Sequence, residues 1–176
     1  MSLWKMFGIK NQKHSESLGS VETETVQKIT ATLKELNPKQ ARFIACFAYI
    51  LTRVSHADQH FGVEEIKTIE QLLVEEGQLS EKQADIVVQI AKSQSILFSG
   101  IENYMVTREF NKIANQDQKV SLLHCLYRIS AANQSVSNIE EGAIRQIARE
   151  LKLHHRDFIS ARLHFKEHLA LLKDKS

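Results

Sequence analysis

With one proline and six glycines in 176 residues, the chain has too few chain-breakers for a turn-rich sandwich or barrel. It also lacks the bias of a collagen-like or linker sequence. Two cysteines cannot make a disulfide framework. The longest apolar run, residues 43–51, has nine members, well short of the about 20 that a membrane-spanning helix needs. No glycine-rich phosphate loop, HExxH, GxSxG or CxxC pattern occurs, so a non-enzymatic protein is expected. His124 and Cys125 are adjacent, but neighbours on a helix point about 100° apart and cannot work as base and nucleophile.

What is present is ordinary for a soluble protein: 43% hydrophobic and 25% charged residues. The length suits one domain, or at most two small ones, and folding at this size buries roughly 70% of the extended chain's surface. That excludes disorder over most of the length. Residues 1–9 are apolar in patches but too short for a signal-peptide core, and no small-residue cleavage site follows. A cytoplasmic setting is therefore expected, with Cys46 and Cys125 reduced and acting as small buried hydrophobes.

Net charge is only +2, but it is unevenly spread. Residues 58–85 hold eight acids and two bases, and residues 145–175 hold eight bases and four acids, with four histidines among them. Such polarity either marks two solvated helix faces or pairs a cation-attracting site with a basic face for an anionic partner.

Apolar residues recur three and four apart through most of the chain, and no stretch alternates as a strand would. Residues 1–19 show no sustained period and form a separate N-terminal segment. Helices are expected over 20–36, 38–56, 62–76, 80–97, 102–114, 117–132, 137–151 and 156–172. Their boundaries follow from Ser20, Asn37-Pro38, the Ser80/Gln83 capping box, Gly77 as a stop and the Ser99-Gly100 break. The fold class is all-α: one bundle of seven or eight helices over 20–176.

The chain also matches itself at an offset of 75. Leu51, Arg53, Ser55, Ala57, Gln59, Glu65, Gln71 and Glu75 fall on Leu126, Arg128, Ser130, Ala132, Gln134, Glu140, Gln146 and Glu150, eight identities in 25 positions. Unrelated amphipathic helices share an apolar period but not the polar residues of the turn between them. The sequence thus encodes a duplicated helix–turn–helix unit, with repeats of about 40–97 and 115–172. Each turn sets an oxygen-bearing side chain, Asp58 or Asn133, seven residues before a glutamate, Glu65 or Glu140. An apolar residue, Phe61 or Val136, plugs the turn between them.

An Ala-Asp-Gly turn with Glu seven residues after the Asp, flanked by apolar helices and present twice, is the pattern this chain resembles. It belongs to the TerB-like domains of bacterial tellurite-resistance proteins and of membrane co-chaperones of the DjlA type. Residues 117–123 (DQKVSLL) resemble the same pattern, and the similarity covers roughly residues 40–165. It implies an all-helical interaction module in a stress response of the tellurite-resistance kind. It also implies a metal cluster at the acidic turn positions, here Asp58, Glu65, Asn133 and Glu140. The chain departs from the pattern where Gln59 and Gln134 replace glycine and Asn133 replaces aspartate. An amide oxygen still ligates a hard cation, but with less charge and lower affinity.

Each of these residues also has a structural explanation. Glu65 and Glu140 stand where a capping-box carboxylate favours a helix start, and Asp58 and Asn133 can bond their own backbone in a turn. The expectation of a divalent-cation site (Ca²⁺, Mg²⁺, Mn²⁺ or Zn²⁺) rests on their recurrence in both copies, with Glu64 and Glu141 nearby. No EF-hand ligand ladder is present. His56-x-Asp58-x-His60 is a weaker zinc alternative, because the helix should end near His56. His164 and His168 are expected on one face of the last helix, beside His154 and His155, as solvated surface or a pH- or metal-sensitive patch. Lys152, Arg156, Arg162 and Lys166 make a basic stripe without interleaved aromatics, so nucleic acid is not expected as a partner. The rival reading is a metal-free protein–protein scaffold or co-chaperone-like domain. In it, Leu3, Trp4 and Phe7 dock on a protein partner or the inner-membrane surface, unless that segment folds against its own core.

Overall fold

The computed structural model describes residues 23–57, 61–97 and 100–169. Eight α-helices run through them: α1 (Glu24–Thr32), α2 (Pro38–Ser55), α3 (Val63–Glu75), α4 (Glu81–Leu97), α5 (Ile101–Ile113), α6 (Gln116–Ser130), α7 (Asn138–Glu150) and α8 (His155–His164). Short 3₁₀ turns follow α6 and α8, over Ala131–Asn133 and Lys166–His168. The all-α bundle is what the periodicity requires. Among the described residues the sole extended pairing is a single bridge between Val136 and Leu169. Among them, too, no helix is long and apolar enough to cross a membrane.

Helix α2 is the axis of the bundle. Asn37 Oδ1 accepts from the Lys39 amide at 2.9 Å, and Pro38 stands at the first helical position, where its missing N–H costs nothing. From there Phe47, Tyr49, Ile50, Leu51 and Val54 are all buried. A helix apolar nearly all round must be covered on every side, and α1, α3, α4, α5, α6 and α7 all pack on it.

The duplication is visible in the coordinates. Helix α3 spans 63–75 and α7 spans 138–150, the same limits displaced by 75, while α2 and α6 end at Ser55 and Ser130. Beyond them the register slips by one residue. The first copy reverses at Gln78 (φ 54°) with the Leu79 amide bonding Leu73 O, and the second at Lys152 (φ 58°) with the Leu153 amide bonding Ala148 O. Gly77 is required beside this reversal because a Cβ there would sit 2.5 Å from Leu73 O. Gln78, not Gly77, carries the left-handed backbone.

Two expected boundaries change. Helix α1 starts at Glu24, where Thr23 accepts from the Val26 amide at 3.4 Å; Ser20 lies outside the described residues. Helix α8 stops at His164 rather than 172. Phe165 leaves the helical conformation and stacks on Tyr127, with centroids 5.6 Å apart. The chain then folds back, burying Leu169 and letting the Val136 amide donate to His168 O at 2.7 Å. Burial of Phe165 and Leu169 outweighs continuing a largely polar helix.

The repeats are locked together by exchanged ion pairs. Arg53 of α2 forms a two-pronged pair with Glu150 of α7 at 2.7 and 3.1 Å, and also donates to Thr107 Oγ1 of α5. Its counterpart Arg128 of α6 pairs with Glu75 of α3 at 3.3 Å. Each arginine therefore reaches the glutamate of the other copy. The first pair is largely buried and the second exposed.

Candidate functional site at the paired turns

The two turns meet. Asn133 Nδ2, in the 3₁₀ turn after α6, donates to Glu65 Oε1 at the start of α3 across 3.1 Å. The other oxygen, Oε2, accepts from the Gly62 amide at 3.3 Å. Glu65 is buried although it is a carboxylate at a helix start, where the positive end of the helix dipole stabilises it. Gly62 keeps the approach open, since a Cβ on it would lie 3.0 Å from Asn133 Nδ2.

In the second copy Glu140 is equally buried. Its Oε2 accepts from the Ser137 amide at 2.8 Å, and the Glu140 amide donates to Ser137 Oγ at 3.2 Å. This is the capping box its spacing predicts. Gln134, where the TerB-like pattern has glycine, carries φ 64°, a conformation glycine adopts without strain. Asp58 and His60 lie outside the described residues, as do Leu3, Trp4 and Phe7.

The flanking acids are committed elsewhere. Glu64 is exposed and pairs with Lys67. Glu141 is buried and bonds Arg162, with Arg145 at 3.8 Å. Arg162 is thereby withdrawn from the basic stripe. Among the described residues no group of three or more His, Cys, Asp and Glu side chains is placed to hold a metal ion.

Sequence reasoning passed over a matched pair of hydroxyls. Ser55 and Ser130 end α2 and α6, three residues before Asp58 and Asn133. Both are fully buried, and neither Oγ has a hydrogen-bond partner. A buried polar atom left unsatisfied costs about 1–3 kcal/mol, so two at equivalent places call for a ligand or ordered water. Their signal was the Ser55/Ser130 identity itself, a hydroxyl retained in both copies. Beside them, His56 Nδ1 is likewise buried and unpartnered, with its ring stacked on Phe61 at 5.3 Å. Val136 is buried as a plug, whereas Phe61 is half-buried under the Lys92 ammonium.

The sequence profile of the tellurite resistance protein TerB matches residues 43–163. The chain belongs to the TerB family. The match runs from α2 into α8 and takes in both turns, leaving α1 outside. No curated protein and no solved structure matches the chain. This TerB-family chain draws Glu65 and Asn133 together from different copies.

The fit to a cation can be judged from these donors. The carboxylates and the amide named at these turns offer oxygen, a chemistry suited to Mg²⁺, Ca²⁺ or Mn²⁺ rather than to a thiophilic ion. The Asn133 amide presents its nitrogen to Glu65. A bound cation would require the amide to turn its oxygen inward.

Proposed function

We propose that this chain is a non-enzymatic TerB-type interaction module of a stress response. In this reading the paired turns take a hard divalent cation through Asp58, Glu65, Asn133 and Glu140. The carrying observation is the Asn133–Glu65 contact, which joins donors from both copies at one place. The orphaned hydroxyls of Ser55 and Ser130 stand at the last residues of α2 and α6, the helices that lead into the turns. A cation there would tie the α2–α3 turn to the α6–α7 turn, so its arrival or loss would alter how the copies sit together and what partner the module holds.

Titration with Ca²⁺, Mg²⁺ or Mn²⁺ should stabilise the protein by about 2.7 kcal/mol at a hundredfold excess over Kd. For a domain this size that raises Tm by about 5–10 °C. Glu65→Gln should abolish the rise. Asn133→Asp should behave in two ways at once. Without cation it sets a second carboxylate against Glu65 and lowers stability by about 1–2 kcal/mol; with cation it binds more tightly than wild type. A Tm unmoved by every ion, in wild type and Asn133→Asp alike, would sink the reading.

A second reading, a metal-free scaffold for a protein partner, is favoured by one feature. Ile96, Leu97, Ile101 and Tyr104 are all exposed where α4 gives way to α5. Apolar side chains grouped this way mark interaction surfaces more often than scattered ones do. A scaffold needs no cation, so the same titration separates the two readings.

A further inference from the structure

We propose that His124 and His164 form a second ion site, chemically distinct from the turns, that takes a borderline first-row transition ion such as Zn²⁺. Periodicity grouped His164 with His168 on one helix, but the fold gives it to His124 of α6 instead. The two imidazoles lie 5.8 Å apart, centre to centre, at 80° to each other. They share a groove of about 270 Å³ walled by Glu76 of α3, Arg128 of α6 and Phe165 beyond α8.

The ring separation is close to that of two imidazoles on one ion. Zinc binds ring nitrogen at about 2.0–2.1 Å in a tetrahedron, which sets the ring centres about 5 Å apart. Rotation about the side-chain bonds would turn a nitrogen of each ring to the ion. Among the described residues neither ring is hydrogen-bonded. Phe165 lies against both rings, at 6.4 Å from His124 and 5.3 Å from His164, and limits where they can turn.

Cys125 borders the same groove but is itself buried. Water completes the sphere. The site uses nitrogen where the turns use oxygen, and it stands or falls independently of them.

The test is a Zn²⁺ titration of the full chain at neutral pH, followed by the imidazole ¹H–¹⁵N signals. The His124 and His164 signals should shift together and saturate at one equivalent. His164→Gln, an exposed change that spares the core, should weaken binding on the order of tenfold or more, and His124→Gln should do the same. Glu65→Gln should leave these shifts intact. The proposal is overturned if only His14, His56, His60, His154, His155 or His168 responds, or if His164→Gln binds Zn²⁺ as tightly as wild type. A thiolate charge-transfer band with Co²⁺ would likewise overturn it, because it would make Cys125 a ligand.

Discussion

Arg53→Ala should destabilise the protein by about 3–5 kcal/mol, lowering Tm by about 6–20 °C in thermal unfolding. Arg53 is 7% exposed at its side chain and Glu150 19%, so water can do little for the carboxylate once its partner is gone. The guanidinium also satisfies Thr107, and Asn111 bonds the Glu150 carbonyl at 2.6 Å, so α2, α5 and α7 meet at this point. The counterpart change, Arg128→Ala, should cost less than about 1 kcal/mol, because its pair with Glu75 is open to solvent. Equal losses at the two positions would show that burial is not what separates them.

Acid should erase the difference. Burial by itself would raise the Glu150 carboxyl, but bonds from Arg53, Gln146 and Thr107 and the Arg53 charge outweigh it and hold its pKa below the usual value. A carboxyl depressed by folding contributes stability that is fully present above its unfolded pKa. That stability is lost as pH falls through the folded value. The gap between wild type and Arg53→Ala should therefore be full at neutral pH and close as pH drops below about 4.

Arg162→Ala should cost about 3 kcal/mol for a related reason. Glu141 is buried at the start of α7, and its carboxylate bonds the Arg162 guanidinium on α8. Arg145 cannot take over, since it stands 3.8 Å away with more than half its side chain in water. Loss of Arg162 leaves a charge with no adequate partner and removes a tie between α8 and the rest of the second copy. Hydrogen exchange should show α8 opening first, ahead of α2. Restoring stability with Glu141→Gln in the same chain would confirm that the uncompensated carboxylate is the cause.

The parts of this fold that could be read from sequence are those written in local chemistry. Helices α3 and α7 were legible because Gly62 and Ser137 each precede a glutamate at capping distance, and because the apolar period fills both. The α2 boundary followed from Asn37-Pro38. What could not be read depends on contacts distant in sequence. The Arg53/Arg128 and Glu75/Glu150 identities were plain, but nothing local says that each arginine reaches across to the other copy. The end of α8 was missed because burial of Phe165 and Leu169 against Tyr127 and Val136 decides it. The one-residue slip after Glu75 and Glu150 hides the repeat beyond them, since an offset of 75 no longer aligns Leu79 with Leu153.

At the turns, spacing named Glu65 and Asn133, and the fold sets them 3.1 Å apart. It could not show that the Asn133 amide faces Glu65 through nitrogen, nor that Ser55 and Ser130 are left without partners.

The crossed pairs, Arg53 with Glu150 and Arg128 with Glu75, have the arithmetic of an isologous contact, in which residue i of one subunit meets j of its mate and j meets i. One half-length chain bearing that arginine and that glutamate would make both bridges at once by self-association. In a single polypeptide the two bridges need not stay alike, and here one lies in the interior while its twin lies in water.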